Sequence, residues 1–202
     1  CRVIEDRAVA VGAPVFRLDR DFRCAGASPA DCQYTGFALR AEHLRCPLQG
    51  QFQLDNLACS LALIELARER GITVSETALR AGLQQVAWEG RLEIVGQAPT
   101  VMVDGAHNPA AATVLAEYLA EWRRARPAAR IHLIVGMMRD KHPREFLAPL
   151  LPLADRLILT QADLPRATTG SELRLLLGDA APSAQVAPTP SDMGTTLASL
   201  LK

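Results

Sequence analysis

The feature that most restricts the fold is the alternation of short apolar runs with amphipathic segments in the second half of the chain. The apolar runs have the length of buried strands, and the segments between them repeat apolar residues every three to four positions, as helices do. Such alternation favours a mostly parallel sheet covered by helices, which is the α/β class. The predicted strands are 91–95, 100–104, 131–136, 156–160 and one near 184–187, and the predicted helices are 109–124, 143–151, 171–178 and 191–201.

The first part of the chain has a different pattern, so we predict two domains, residues 1–88 and 89–202, with a boundary near Trp88. Residues 19–36 are rich in Asp, Arg, Gly, Ser and Pro, which indicates a loop or the mobile part of a hairpin. The other predicted elements are helices at 2–12, between Gly50 and Gly71 and at 75–86, and strands at 14–18, 34–39 and 43–48.

The charge balance argues against nucleic acid and membrane partners. Lys and Arg number 22 and Asp and Glu also number 22, so no net field attracts a polyanion. No apolar run approaches the roughly 18 residues that a membrane-spanning helix needs. The five cysteines are odd in number and lack zinc-site spacing, which fits reduced thiols in the cytoplasm. The first residues resemble the interior of a helix, so we also expect the sequence to be a fragment.

The stretch "VMVDGAHNPAA" (101–111) places Asp104 and His107 where a predicted strand gives way to a helix. Ligands of α/β proteins collect at the carboxyl ends of strands, beside helix N-termini. Gly105 permits a turn, and Asn108 followed by Pro109 is a good helix start. Spacing alone leaves two interpretations open: a functional pair, or a turn-capping Asp next to a surface His.

The segment "EGRLEIV" (89–95) places Arg91 at the start of a strand, just after the predicted domain boundary. A guanidinium there could reach a neighbouring domain and bind phosphate through two parallel hydrogen bonds. The alternative is a surface ion pair with Glu89 or Glu93, which is the commoner situation for an arginine.

The segment "QFQLDNLACSLAL" (51–63) contains an Asp-Asn pair inside an apolar helix, where both residues are unfavourable. The amide of Asn56 offers a donor and an acceptor together, which suits the edge of an adenine ring. The alternative is that Asn56 helps to cap the first turn of the helix.

Taken together, these patches resemble the Mur ligase superfamily, and most closely its dihydrofolate synthase/folylpolyglutamate synthase branch. The resemblance lies in "QLDN", in "WEGRLE" and in "DGAHNPAA", and Asp104 follows Arg91 by thirteen residues. A fourth patch, "VGMMRDKHP" (135–143), resembles the family's loop with Asp-Lys-Asp. Here His142 stands where the family has the second Asp. The four patches lie in the family's order within residues 50–145.

The resemblance implies roles for individual residues. Asn56 would contact the adenine of ATP, Arg91 would reach the nucleotide phosphates, and Asp104 would bind the nucleotide through the ribose. His107 would lie toward the incoming glutamate, and Arg91 and His107 would be the catalytic residues. The implied fold is the end portion of a P-loop-type central ATPase domain followed by a Rossmann-like C-terminal domain. Asp140 and Lys141 are candidates without an assigned contact.

The resemblance also implies parts that these 202 residues do not contain. The family's phosphate-binding Gly-rich loop with Lys and Ser or Thr has no counterpart here, and no metal ligand is assigned, because the Mg²⁺ ligands are expected in the preceding part. The intact protein is then expected to be a monomeric, ATP- and Mg²⁺-dependent ligase of folate biosynthesis and one-carbon metabolism. It would add L-glutamate to dihydropteroate, to folate polyglutamates or to both through an acyl phosphate, and the fragment alone would be inactive. Closure of the two domains would bring Arg91 into the site.

Two other functions stay open. The first is a non-catalytic, nucleotide-binding regulatory α/β module that keeps the scaffold without the ligase machinery. The second, a nicotinamide-dependent dehydrogenase, is poorly supported, because no G-x-G-x-x-G follows a strand in the chain.

Overall fold

A computed structural model describes residues 2–187, and the chain divides into two compact units, Cys1–Asp104 and Gly105–Lys202. The predicted helix at 191–201 lies outside the described residues. The division between the units falls sixteen residues after the predicted boundary at 88 (104 − 88), because the hairpin that follows Gly90 groups with the first unit. The domain boundary near Trp88 therefore stays a prediction.

The first unit consists of helices packed against small antiparallel sheets. Strands β1 (Arg23–Ser28), β2 (Asp31–Thr35) and β3 (Arg40–Leu44) form one sheet in that order. Helix α2 (Gln53–Glu69) packs on β1 and β2 around the buried side chains of Tyr34, Leu57 and Leu61. Strands β4 and β5 form a separate antiparallel pair. The described elements of this unit are α1 (Arg2–Val11), β1 (Arg23–Ser28), β2 (Asp31–Thr35), β3 (Arg40–Leu44), α2 (Gln53–Glu69), α3 (Glu76–Gln84), β4 (Glu93–Gln97) and β5 (Thr100–Val103).

Three of the five strands that the alternating pattern predicts form a parallel sheet in the second unit, whereas the strands predicted at 91–95 and 100–104 form the antiparallel pair of the first unit instead. Strand β7 lies between β6 and β8 and runs parallel to both, and α4, α5 and α6 contribute to one core with the sheet. Strand β7 is buried along three of its four residues, as expected for the middle of a covered sheet. The described elements of this unit are α4 (Pro109–Arg124), β6 (His132–Val135), α5 (Pro143–Leu147), β7 (Arg156–Leu159), α6 (Gly170–Leu177) and β8 (Gln185–Val186).

Within residues 2–187 the helix predictions are confirmed with small shifts, apart from the segment 143–151. There α5 ends at Leu147 and a 3₁₀ turn follows at Leu151–Leu153. Pro149 and Pro152 account for the early end, since proline has no N–H and restricts the residue before it. None of the described helices is long and apolar enough to span a bilayer.

The predicted strand at 14–18 is wrong. Only Leu18 forms a bridge there, with Phe22, and the segment instead makes a turn in which the carboxylate of Asp21 accepts the N–H of Arg17 at 2.7 Å. A short apolar run without a partner strand does not form a ladder, so its composition misled the prediction.

The segment 19–36 forms the hairpin of β1 and β2, which is one of the two predicted alternatives. Its Gly, Ala and Ser content gives little strand propensity, but Cys32 and Tyr34 alternate with exposed neighbours and face α2. Burial of that face stabilises the hairpin where local propensity does not. The predicted strands 34–39 and 43–48 are displaced, since β2 ends at Thr35 and β3 occupies Arg40–Leu44.

Candidate functional site

Asn56 lies in the first turn of α2 and its side chain is exposed. The cap position is Phe52, which provides no side-chain cap, so Asn56 does not cap the helix. Its Nδ2 donates instead to Oε1 of Gln53 at 2.8 Å. This bond uses one amide hydrogen and sets which way the amide faces, while an amide carries in addition a second N–H and a carbonyl oxygen with two lone pairs.

Gln53 is a residue that the sequence reasoning missed. It is 4% exposed, although glutamine is mostly found at protein surfaces. The signal was present in the helical spacing, because Gln53 precedes the buried Leu57 and Leu61 by four and eight positions on the same face of α2. Its carbonyl oxygen orients the Asn56 amide from within the core.

Asp104 binds the backbone of Leu92, the residue that follows Arg91. Oδ2 of Asp104, which follows the last residue of β5, accepts the N–H of Leu92 at 3.0 Å. The N–H of Gly90 donates to Oε2 of Glu93 at 2.8 Å, which closes the same turn from its other side. The Arg91 side chain is exposed, whereas Leu92 is 1% exposed. The turn therefore directs leucine into the protein and arginine outward.

The ion-pair alternative for Arg91 is not observed. In residues 2–187 the guanidinium of Arg91 forms no ion pair with Glu89 or Glu93, and Glu93 bonds to the backbone of Gly90 instead. A solvent-facing guanidinium keeps its five N–H donors for a ligand such as a phosphate.

The turn at residues 90–92 also packs against the segment that leads into α2. A Cβ atom added to Gly50 would lie 3.0 Å from Cδ1 of Leu92 and 2.9 Å from Cδ1 of Phe52. The leucine therefore packs directly against the backbone of Gly50, where a larger residue would not fit. Helix α2 begins at Gln53, three residues after Gly50, and Asn56 stands on its first turn. The turn that contains Arg91 and binds Asp104 therefore packs, through Leu92, against the segment that leads into α2.

His107 lies in the second unit, just before α4, and its side chain is exposed. The predicted helix start is confirmed, because Asn108 caps α4 by accepting the N–H of Ala111 at 2.9 Å and Pro109 is the first helical residue. Nδ1 of His107 lies 2.9 Å from the carbonyl oxygen of Gly105, which can only accept. Nδ1 is then the protonated nitrogen, and Nε2 donates to a carboxylate only in the imidazolium form.

Asp140 and Lys141 lie in the loop after β6, at the carboxyl edge of the parallel sheet. Nζ of Lys141 is 2.9 Å from Oδ2 of Asp140, and this hydrogen bond lowers the pKa of the Asp140 carboxyl. His142 occupies the cap position of α5 without a side-chain cap bond. An aspartate at that position could have capped the helix, which a histidine does not do here.

A second group that the sequence reasoning missed lies at the same edge of the sheet. Thr160 directly follows β7 and is 7% exposed, and its hydroxyl has no hydrogen-bond partner among the described residues. The Asp140 loop is tied to the segment after β7 by backbone bonds, from Thr168 N–H to the Met137 carbonyl at 2.9 Å and from Arg139 N–H to the Arg166 carbonyl at 3.1 Å. No local sequence pattern marks the threonine.

The sequence profile described as "Mur ligase, glutamate ligase domain" matches residues 90–202, more than half of the chain. The chain belongs to the Mur ligase family. The match begins next to the predicted domain boundary, and it covers the predicted residues Arg91, Asp104 and His107.

Known synthases of this family are similar to the chain. Dihydrofolate synthase/folylpolyglutamate synthase of Bacillus subtilis is 35% identical over 134 residues, which cover 65% of this chain and 30% of that protein. The structure of Mycobacterium tuberculosis folylpolyglutamate synthase complexed with ADP and AMPPCP matches 99% of this chain and 46% of its own, with 30% identity and a TM-score of 0.84. A Yersinia pestis bifunctional synthase complexed with AMPPNP and Mn matches with 25% identity and a TM-score of 0.82, over 98% and 44% of the two chains.

These matches confirm the predicted α/β fold and the resemblance to the synthase branch. The chain spans from 30% to 46% of the lengths of these three relatives. The roles of Asn56, Arg91, Asp104 and His107 stay predictions.

Proposed function

We propose that the chain forms part of an ATP-dependent ligase that adds L-glutamate to dihydropteroate, to folate and its polyglutamates, or to both. The support is its membership of a glutamate ligase family and its similarity, over nearly its whole length, to a folylpolyglutamate synthase bound to ADP. The observation that carries the proposal is the arrangement around Leu92, where the Asp104 carboxylate binds the turn that presents Arg91 and the leucine packs against Gly50 in the segment leading into α2.

The chemistry of these groups fits a nucleotide. The Asn56 amide, oriented by Gln53, matches the donor and acceptor edge of adenine. The exposed Arg91 guanidinium suits the phosphates, since its planar fork forms two parallel hydrogen bonds. Asp104 is proposed to accept from the ribose hydroxyls. These three groups hold the nucleotide in place, and positioning is the main contribution that a protein makes to phosphoryl transfer.

The proposed reaction has two steps. A carboxylate oxygen of the acceptor attacks the γ-phosphorus of ATP and ADP leaves, which gives an acyl phosphate. The amine of glutamate then attacks the acyl carbon, phosphate leaves and the amine loses a proton, which gives the amide. His107 is proposed to bind a carboxylate of the incoming glutamate as the imidazolium, and Arg91 to stabilise charge on the phosphates in the first step.

Magnesium is assigned no step in the described part of the chain. Within residues 2–187 no group of three or more His, Cys, Asp or Glu side chains could hold a metal ion. We propose that the intact ligase takes its Mg²⁺ ligands from a part of the protein outside this sequence.

The proposal is tested by glutamate incorporation with the full-length protein that contains this sequence. Radiolabelled glutamate, ATP and Mg²⁺ are supplied with either dihydropteroate or tetrahydrofolate, and each product is quantified. Incorporation into either acceptor supports the proposal and identifies the substrate. No incorporation, together with ADP binding to the full-length protein, would favour the regulatory module instead.

Two further parts of the proposal have their own tests. We expect the purified 202-residue chain to form no product in the same assay, because it lacks the Gly-rich phosphate loop. Product formed by this fragment would overturn that assignment. We also propose that the intact ligase is a cytoplasmic monomer, which sedimentation equilibrium and cell fractionation check.

A further inference from the structure

Leu92 adopts a backbone conformation that is rare for leucine. Its φ is 48°, in the left-handed region that favours glycine. Asp19 and His43 are the other non-glycine residues with positive φ in residues 2–187, and both are exposed and of types that tolerate this region. A buried leucine with this φ persists only where the surrounding structure stabilises it, and such positions cluster at functional sites.

Two hydrogen bonds hold this conformation. The Leu92 N–H donates to the Asp104 carboxylate at 3.0 Å, which is a charge-assisted bond. The Glu93 carboxylate accepts the Gly90 N–H at 2.8 Å and fixes the other end of the turn. The backbone on both sides of Arg91 is therefore tied to a side chain.

The Leu92 side chain packs against Gly50, in the segment that leads into α2. The Leu92 side chain is 1% exposed. Its Cδ1 would lie only 3.0 Å from a Cβ atom added to Gly50. Gly50 has a φ of 97°, so glycine is required there for its conformation as well as for the contact.

We propose that Leu92 is a positioning residue, whose left-handed backbone and buried side chain fix the direction in which Arg91 leaves the turn toward the nucleotide phosphates. This inference rests on the proposed function, in which Arg91 is a phosphate ligand. An arginine side chain loses much conformational freedom when it binds, and a fixed backbone reduces what remains to be ordered.

The test uses the full-length ligase and measures kcat and the KM for ATP. A β-branched residue is strongly disfavoured at positive φ, whereas an unbranched one of similar volume is not. We expect Leu92→Val to lower kcat/KM for ATP at least tenfold and Leu92→Met to stay within twofold of the wild type. Leu79→Val, at a buried leucine of α3, is the matched control and should leave the KM for ATP unchanged.

A double-mutant cycle identifies the route of the effect. If Leu92 acts through Arg91, Leu92→Val should change kcat/KM less than twofold in an Arg91→Ala background. An equal effect of Leu92→Val in both backgrounds, or equal effects of the Leu92→Val and Leu79→Val variants on the KM for ATP, would overturn the inference. Should Leu92→Val fail to fold, Leu92→Ala with Leu79→Ala as its control replaces the pair.

The cycle also separates this inference from the proposed function. If Arg91→Ala leaves kcat/KM for ATP unchanged, the phosphate role of Arg91 is wrong, and the positioning role of Leu92 is refuted with it. If Arg91→Ala is impaired but Leu92→Val is not, the proposed function stands and the inference alone is refuted.

Discussion

Glu65 and Asp104 are two carboxylates of the first unit that the fold uses in different ways. Glu65 is 5% exposed and accepts the Tyr34 hydroxyl at 2.6 Å and the backbone N–H groups of 37–39 at 3.1, 2.8 and 2.5 Å. Asp104 is half-buried and accepts the N–H of Leu92 in a turn that presents an exposed arginine.

The donors around Glu65 all belong to the fold, so this carboxylate stabilises the fold, whereas Asp104 lies at a turn that also presents an exposed arginine, for which we propose a role in nucleotide binding. Burial by itself would raise the pKa of Glu65, but the hydrogen bonds from Tyr34 and from residues 37–39 outweigh it and hold that pKa below its ordinary value. The Glu65 cluster, meaning Glu65, Tyr34 and residues 36–39, also fixes Phe37, whose ring centroid lies 4.6 Å from that of Phe16.

The largest expected effect is a loss of turnover, which distinguishes the turn at Arg91 from the surroundings of Glu65. If Arg91 has the proposed phosphate role, Arg91→Ala in the full-length protein should lower turnover by about 100-fold or more, as loss of a group that stabilises transition-state charge does, and leave the melting temperature unchanged. Steady-state kinetics and thermal melts measure both. Arg124→Ala, at an exposed arginine at the end of α4, is the control and should alter neither. A wild-type rate for the Arg91→Ala variant would remove Arg91 from the mechanism.

Glu65→Gln should instead lower the stability of the folded chain. It leaves buried donors facing an uncharged amide, so we expect a loss of about 3 kcal/mol in the free energy of unfolding. Urea denaturation of the 202-residue chain measures it, and Glu69→Gln, at an exposed glutamate that is the last residue of α2, should cost far less. Equal effects of the two substitutions would end the distinction between the Glu65 cluster and an ordinary surface carboxylate.

Gly36→Ala tests how tightly the Glu65 cluster is packed. An added Cβ would collide with the Glu65 carboxylate and the Tyr34 hydroxyl, and we expect a loss of about 1–3 kcal/mol in stability. Gly82→Ala in α3 meets nothing within 4 Å and should stabilise the helix by about 1 kcal/mol instead. Opposite shifts in melting temperature are therefore expected, and a stabilising Gly36→Ala would contradict the structure.

The smallest expected effect is a pH dependence. The pKa of Glu65 is lower in the folded chain than its ordinary value of 4.5. The stabilisation that the Glu65 carboxylate gives to the fold is therefore complete above pH 4.5 and is lost as the pH falls through the folded pKa. The free energy of unfolding should therefore decrease below pH 4.5 more steeply in the wild type than in Glu65→Gln. Parallel curves for the two proteins would show that Glu65 is not the group that titrates.

Local sequence patterns predicted correctly those elements whose structure is determined by neighbouring residues. Helix α4 has the predicted bounds 109–124, because its apolar spacing, the Asn108 cap and Pro109 all act within a few positions. The same holds for α2, and for the parallel strands β6 and β7, whose apolar runs indicate burial on both faces. The four predicted site residues also rest on local motifs, and their roles stay predictions.

By itself the sequence determined the α/β class, most helices and the ligase family, since short-range periodicity and contiguous motifs carry that information. Only the tertiary structure decided the hairpin at 23–35, the cluster around Glu65 and the left-handed Leu92. The reason is distance along the chain: Tyr34 and Glu65 are separated by 31 residues, and Leu92 and Asp104 by 12. Such pairs form only when burial brings remote segments together, and no local propensity records them.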